Sequence, residues 1–176
     1  ANFTCNVSMY WFDGTGSWSI YANVTDLNNR NATNGTTNFQ VGATDGFVTF
    51  PTTLTWASLT AGSTNQSSSN DPMLLNNTGN VNKFININST NLRGESTSGL
   101  ALWAGNFTVN VSRSFPGVNM TNHTYVNITS AALPKGNFTI NNNATGQEQL
   151  YFNIYTVGSE LIAQTYSTTN ESTWTV

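Results

Sequence analysis

Charge is what this sequence has least of. Its 176 residues include only five Lys or Arg and eight Asp or Glu, about 7%, where soluble domains usually carry ~25%. The basic residues are scattered singly and the net charge is −3, so no basic stripe could follow a phosphate backbone. We therefore expect no nucleic-acid partner, and solubility must come from something other than charge.

Side chains suited to catalysis are equally scarce. His123 is the only histidine, and it lies in an Asn-His-Thr triplet that we expect to face solvent, which favours a structural role. No two of the eight carboxylates stand within ten residues of each other, although a pair assembled in space stays open. The motifs G-x-S-x-G and G-x-x-x-x-G-K-[ST] are missing. The sequence therefore predicts a protein that is not an enzyme.

Metal ligands and thiols are few as well. Asp13, Asp45 and Asp71 occupy turn positions, where Asp bonds the local backbone. A Ca²⁺ site in these loops is the alternative, but the D-x-D-x-D-G ligand spacing is missing, so we expect no metal or other cofactor. Cys5 is the only cysteine and can form no disulfide within the chain. We expect it to be a small buried hydrophobic residue, with a bond to another chain as the alternative.

Long apolar runs are also absent. No stretch approaches the ~20 apolar residues of a membrane-spanning helix, and the first residues, ANFTCNVS, lack the basic and then apolar pattern of a signal peptide. No window has the i, i+3, i+4, i+7 spacing of an amphipathic helix. We expect no membrane span, almost no helix, and a mature or excised ectodomain.

What the chain has in abundance is Asn, Thr and Ser, at 28, 28 and 17 residues. They form 16 N-glycosylation sequons, where composition alone gives about 7 (28 Asn with 45 Ser or Thr in 176), so we predict a glycoprotein. Chance formation in an Asn- and Thr-rich β protein is the alternative. The predicted sites are Asn2, Asn6, Asn23, Asn31, Asn34, Asn65, Asn76, Asn88, Asn106, Asn110, Asn119, Asn122, Asn127, Asn137, Asn143 and Asn170.

Many of these triplets have an apolar middle residue, such as Val7, Val24, Phe107 and Ile128. Side chains alternate between the two faces of a strand, so Asn and Ser or Thr point one way and the apolar residue points the other. The outer strand faces would then carry sugar where other proteins carry Lys and Glu, which would also discourage aggregation of strands.

The apolar pattern predicts an all-β chain of about 11 short strands, arranged as an antiparallel sandwich. Residues 150–157 are apolar on both faces, as in a central strand. The predicted strands are residues 4–12, 17–25, 36–41, 84–88, 100–103, 106–112, 125–129, 138–142, 150–157, 165–167 and 173–176.

The first three strands form a predicted N-terminal meander. Asp13-Gly14-Thr15-Gly16 should turn residues 4–12 back onto residues 17–25, and a long loop at 26–35 should lead to the third strand. One face of this small sheet is apolar and needs a cover. Residues 42–46 break the pattern, so we place the boundary there: 1–45 is a meander and assembly segment, and 46–176 is a sandwich domain.

Residues 51–94 carry a more specific pattern. An apolar alternation is followed by a polar loop and an Asn-Asn-Thr-Gly-Asn turn that should need φ > 0 and join a hairpin to residues 84–88. This stretch resembles immunoglobulin-like domains of prokaryotic, especially archaeal, surface and filament glycoproteins. The matching residues are Pro51, Leu54, Trp56, Gly62, Ser63, Asn77, Gly79 and Asn80. The resemblance implies an immunoglobulin-like fold and an extracellular or cell-surface location.

These features favour a structural function. We expect a subunit of a glycosylated extracellular filament in which copies of the chain join head to tail by strand complementation. Residues 1–12 are the preferred donor, with Cys5, Val7, Met9 and Trp11 as the inserted side chains, and the C-terminal strand is the second choice.

The alternative is a binding module of a surface-layer protein or adhesin, in which loops around Trp56, Trp103 and Tyr125 bind carbohydrate or a protein partner. Repeats of the pattern in residues 51–94 along a longer polypeptide would favour this alternative.

Overall fold

A computed structural model describes residues 4–136 and 146–176. Within these ranges the chain is all β, as predicted, and its one helical element is a three-residue 3-10 turn, Ala104–Asn106. The strands are β1 (Gly16–Thr25), β2 (Asn31–Val41), β3 (Phe47–Phe50), β4 (Thr64–Ser67), β5 (Met73–Asn77), β6 (Asn86–Ser89), β7 (Leu92–Gly94), β8 (Ala101–Leu102), β9 (Phe107–Asn110), β10 (Val118–Asn119), β11 (Thr124–Asn127), β12 (Gln147–Thr156) and β13 (Tyr166–Ser167). The predicted strand at 138–142 lies outside the described residues.

Strand β12 is the centre of the largest sheet, whose order is β10-β9-β12-β5-β3. One edge of β12 pairs with β9, and the other pairs with β5 at residues 147–150 and with β4 at residues 153–156. Leu150, Phe152 and Ile154 point into the core and are at most 1% exposed. The prediction of a central strand in this region is confirmed.

The chain between β4 and β5 leaves the sheet, so the two strands meet β12 in different registers. Ser68 still donates its backbone N–H to the carbonyl of Phe152, at 2.9 Å. The N–H of Phe152 is accepted by both carboxylate oxygens of Asp71, at 3.0 and 3.1 Å. A side chain thus takes the place of a strand carbonyl beside the central strand.

A second group of strands is organised along residues 83–94. β6 pairs with β11 and is bridged at Asn88 to Thr175, while β7 pairs with both β8 and β13. Apolar side chains of both groups form one buried cluster, in which the Phe107 ring makes edge contacts with Trp56 and Trp174 at 5.4 and 5.0 Å between centroids. The architecture therefore fits a sandwich of antiparallel sheets.

The N-terminal region differs from the prediction. Residues 4–12 form no strand, so the first strand of the predicted meander is wrong, whereas β1 and β2 pair as predicted for residues 17–25 and 36–41. Asp26 makes the turn between them, because its carboxylate accepts the N–H groups of Asn28 and Arg30, both at 2.8 Å, while Asn29 takes φ 60°. These are strong local turn features, and the prediction had placed them inside a long loop.

Both faces of the β1–β2 hairpin are open to solvent. Every residue of β1 is exposed, and in β2 only Phe39 and Val41 are partly covered. Trp18 and Ile20 lie on one face, where the Trp18 ring stacks on Phe39 at 6.4 Å. The hairpin therefore presents an apolar face that nothing in the described chain buries.

The connection at residues 42–46 is held firmly against the body. Asn80 accepts the N–H of Thr44 at 2.7 Å and donates its amide N–H to the carbonyl of Gly42 at 2.9 Å. Its own backbone N–H donates to Thr44, and Asp45 forms an ion pair with Lys83. The predicted boundary is therefore a fixed joint that projects the hairpin from the body.

The prediction for the turn at residues 76–80, which holds this joint, was wrong in two respects. β5 and β6, on either side of it, lie in different sheets and do not pair as a hairpin, and among residues 76–80 none has a positive φ. Gly79 is needed for another reason: a Cβ there would overlap the carbonyl oxygen of Thr44. The glycine allows a close backbone approach.

Replacing Asn80 with Ala tests this joint. The change leaves the Thr44 N–H and the Gly42 carbonyl without their partner in a site that is 5% exposed, so we expect a loss of ~1–3 kcal/mol in unfolding free energy. Urea unfolding measures it. Asn86→Ala, at an exposed position outside the sequons, is the matched control and should change stability by less than about 0.5 kcal/mol. Equal effects of both variants would contradict the clasp.

Candidate glycosylation surface and assembly segment

The sequon asparagines lie at accessible positions. Asn2, Asn137 and Asn143 fall outside the described residues, and none of the other 13 is buried. Four asparagines of the described ranges are buried, and all of them lie outside sequons: Asn77, Asn80, Asn91 and Asn153. Buried asparagines therefore avoid the sequons, although other asparagines outside sequons, such as Asn86, are exposed.

The hydrogen bonds of the side-chain Nδ2 atom also differ between sequon asparagines and the others. Nδ2 is the atom to which an N-linked sugar attaches, and outside the sequons Asn70, Asn77 and Asn80 donate from it to backbone carbonyls. The sequon residues Asn31 and Asn122 use only Oδ1, as acceptors. Within the described ranges Asn110 is the one sequon residue that donates from Nδ2, to Ser114 at 3.0 Å. The remaining described sequon sites keep this nitrogen available.

The strand registers place several sequons as the alternation predicts. In β9, Phe107 and Val109 are fully buried while Asn110 lies opposite Tyr151 on the other face. In the hairpin, Asn23 lies opposite Thr33. Asn34 is an exception, because a bulge in β2 puts it opposite Ala22 on the apolar face.

The predicted assembly segment is exposed. Val7, Met9 and Trp11 are 64%, 40% and 52% exposed, and residues 4–10 belong to no strand. The Trp11 ring does reach the backbone at Gly136, so part of it is in contact with the body. Cys5 is a free, exposed thiol, so the expectation that it is buried is wrong for the single chain.

Strand β3 is the open edge of the largest sheet. Among residues 4–136 and 146–176 it pairs with β5 alone, and Phe47, Val48 and Phe50 are 37%, 55% and 76% exposed. An exposed apolar edge strand is a ready template for another strand. Sequence patterns did not single out this edge, because a strand's neighbours are set by long-range topology.

The three aromatic residues considered for ligand binding have different surroundings. Trp56 packs on Phe107 and donates its indole N–H to Gln66, so it serves the core. Trp103 is 49% exposed with the Arg93 guanidinium 5.8 Å from its ring, and Tyr125 is 66% exposed. Only these last two present rings to solvent.

Titratable groups are dispersed. Within the ranges 4–136 and 146–176 no three His, Cys, Asp or Glu residues come close enough to hold a metal ion. His123 lies 3.7 Å from Glu171, which also accepts from Arg93 at 2.7 Å. Asp13 accepts the N–H of Tyr10, a local backbone bond of the expected kind. The Ca²⁺ alternative and the absence of catalysis stay predictions.

One carboxylate has an unusual pKa. Burial raises the pKa of Asp71 from 3.8 to about 6, against the opposing effects of the Phe152 N–H and the Arg113 charge. Its sequence context, Asn-Asp-Pro, gave only a turn signal, and the bond to Phe152 spans 81 residues. Long-range roles of this kind have no local signature.

Comparisons with protein-family models, curated proteins and solved structures gave no match for this chain. In the part of the chain that the structure describes, no helix is long and apolar enough to cross a membrane.

The pKa of Asp71 predicts a pH dependence of stability. Between pH 3.8 and about 6 the folded chain holds a proton at Asp71 that the unfolded chain has lost, so stability should fall as the pH rises through this window. Asp71→Asn keeps an acceptor for Phe152 but cannot ionise, and should remove this part of the slope. Urea unfolding at several pH values measures it.

Asp71→Ala is the companion variant, because it leaves the buried Phe152 N–H unpaired and should be ~1–3 kcal/mol less stable than Asp71→Asn at every pH, neither variant having a group that titrates here. Superimposable pH profiles for the wild type and Asp71→Asn would refute this role of the carboxylate.

Glycopeptide mass spectrometry of native protein should find sugar at the exposed sequons Asn6, Asn23, Asn31, Asn34, Asn65, Asn119, Asn122, Asn127 and Asn170. Where sugar is added after folding, we expect lower occupancy at Asn110 than at these exposed sites, because its Nδ2 is engaged with Ser114 and its side chain is partly covered. Full occupancy at Asn110 beside empty exposed sites would contradict this order.

Proposed function

We propose that this chain is a structural subunit of an extracellular, N-glycosylated filament in which copies join head to tail by β-strand complementation. The observation that carries the proposal is the N-terminal segment, residues 4–12, which exposes alternate apolar side chains and pairs with no strand. We also propose that the body is an immunoglobulin-like sandwich, as the pattern of residues 51–94 implies.

The donor segment suits insertion into a sheet. If residues 4–12 became extended in a neighbouring subunit, Cys5, Val7, Met9 and Trp11 would point to one face. Their exposure in the single chain means that burial on assembly gains hydrophobic free energy, at ~25 cal/mol for each Å² of apolar surface removed from water.

The edge of β3 is the acceptor that we assign to the donor segment of a second copy. Its free backbone groups can pair with an incoming strand, and Phe47, Val48 and Phe50 supply apolar contacts. Because donor and acceptor are different surfaces of the same chain, the contact is heterologous and repeats into a fibre when it does not close.

The distribution of sequons supports the extracellular location. Sugar at accessible strand faces would supply the solubility that 13 charged residues in 176 cannot. In an extended donor segment the Asn6 sugar would point away from the face with Val7 and Met9, and the acceptor edge itself would carry none. Residues 37–64, which include β3, contain no sequon.

Two charges in the donor segment test the proposal. Val7→Asp with Met9→Asp should reduce fibres at least about tenfold in electron micrographs, because a carboxylate inserted into an apolar groove carries a large desolvation cost. Neither change removes the Asn6 sequon.

The control is Leu27→Asp, which adds a charge at a fully exposed position outside the donor and acceptor segments and should leave fibres intact. Circular dichroism and the melting temperature should stay unchanged in both variants, because Val7, Met9 and Leu27 are exposed in the single chain. Normal fibres from the doubly charged variant would refute the N-terminal donor.

A binding module of a surface-layer protein or adhesin is the second candidate. The exposed Trp103 ring beside Arg93 favours it, since aromatic and cationic groups together suit carbohydrate or protein ligands. A native polypeptide with repeated copies of this unit and no fibres would favour this function over the filament.

A further inference from the structure

Three tyrosines share sheet faces with sequon asparagines. Tyr21 precedes Asn23 in β1, Tyr151 lies opposite Asn110, and Tyr125 lies opposite Asn88. Arg113 lies 5.7 Å over the Tyr151 ring, and the Tyr21 ring lies beside Gly35. Tyr21 and Tyr125 are 69% and 66% exposed, and no ring or guanidinium in the described chain covers Tyr125. Tyr125 is therefore an accessible ring that also lies directly opposite a sequon asparagine.

Asn88 and Tyr125 are direct cross-strand neighbours. The β6–β11 register pairs them, which puts their Cβ atoms ~4.5–5.5 Å apart on the same face. The backbone of Asn88 is fixed by two hydrogen bonds with Thr175: its N–H donates to the Thr175 carbonyl at 2.9 Å, and its carbonyl accepts the Thr175 N–H at 3.0 Å. The Oδ1 of Asn88 is buried with no hydrogen-bond partner among the described residues, so Nδ2 is the end of the amide that can face out.

We propose that the saccharide attached to Asn88 packs against the Tyr125 ring. A pyranose has an apolar face of C–H groups that can lie on an aromatic ring while its hydroxyl groups stay in water. The contact would fix the orientation of this sugar over the β6–β11 sheet and stabilise the pairing beneath it. This inference rests on the glycosylation included in the proposed function.

The sequon geometry adds a condition on timing. Thr90 completes the Asn88 sequon, is 1% exposed, and donates its hydroxyl to the carbonyl of Ser172 at 2.6 Å. A glycosyltransferase that recognises the Thr90 hydroxyl would have to bind it before the chain folds around β6. The sugar on Asn88 would therefore be added to the unfolded chain and would be present when Tyr125 pairs with it.

A double-mutant cycle tests the contact. Tyr125→Thr removes the ring but keeps a strand-forming residue, and Asn88→Gln removes the sugar but keeps an amide. In glycosylated protein, with Asn88 occupancy verified by glycopeptide mass spectrometry, Tyr125→Thr should lower the melting temperature by at least about 2 °C more than it does in the Asn88→Gln background. Tyr125→Phe retains the ring and should match the wild type.

Asn127 supplies the matched sequon control, because it lies two residues from Tyr125 on the same strand face. Asn127→Gln should leave the coupling between Asn88 and Tyr125 intact. Coupling that disappears in Asn127→Gln but persists in Asn88→Gln would overturn the assignment, as would equal effects of Tyr125→Thr in both backgrounds.

Failure here is distinguishable from failure of the proposed function. An empty Asn88 in protein that carries sugar at other sites and forms fibres refutes this contact alone. Protein without sugar at any site refutes both.

Discussion

The hydrogen-bond ladder along β12 is the constraint on which the body depends. This strand pairs on both edges, and its inward side chains fill the centre of the core, so its backbone groups are far from water and need partners. Where β4 and β5 leave a gap, Asp71 supplies the acceptor for Phe152. The same burial that makes this bond useful makes ionisation of the carboxyl costly, which is why its pKa rises.

Asparagine performs two physically different tasks in this chain. Inside, Asn77 and Asn80 donate from Nδ2 to backbone carbonyls and tie together segments that are distant in sequence. Outside, the sequon asparagines of the described ranges leave this nitrogen free, apart from Asn110. A hydrogen bond matters most where burial leaves the partner group no water to bond instead, so the buried asparagines are the ones whose loss should destabilise the fold. Composition alone mixes the two groups, and only the fold separates them.

The features that the sequence predicted well are those that depend on neighbours along the chain. Alternation identified an all-β architecture, and a run that is apolar on both faces identified β12. Turn residues were less informative about strand pairing, because a glycine in a turn motif can serve either a positive φ or a close approach of another backbone segment. Gly16 takes φ 118° at the start of β1, whereas Gly79 is needed for the approach of Thr44. The predicted pairing of residues 4–12 with 17–25 is therefore wrong, whereas that of 17–25 with 36–41 is present.

Predictions about sites also succeeded where neighbours along the chain decide the feature and failed where distant contacts do. Accessibility of the sequons could be expected from alternation, since each triplet encodes its own face. The roles of Asp71 and Asn80 could not, because their partners lie 81 and 36 residues away. The burial of Cys5 could not be predicted for the same reason. The residues around it indicated a strand with a buried face, but in the folded chain no strand pairs with this segment and Cys5 is exposed.

Two exposed apolar surfaces differ in how they relate to the sequons. The hairpin face with Trp18 and Ile20 is opposite Asn23 but also holds Asn34, whereas β3 lies in a stretch without sequons. A surface with few charges can avoid unspecific association only if its apolar areas are few and each has a defined cover. Saccharide at Asn34 would shield the hairpin face, whereas the exposed side chains of Phe47, Val48 and Phe50 would stay open at the β3 edge. Assembly through this one edge would restrict association between copies to one geometry, which is what a regular filament requires.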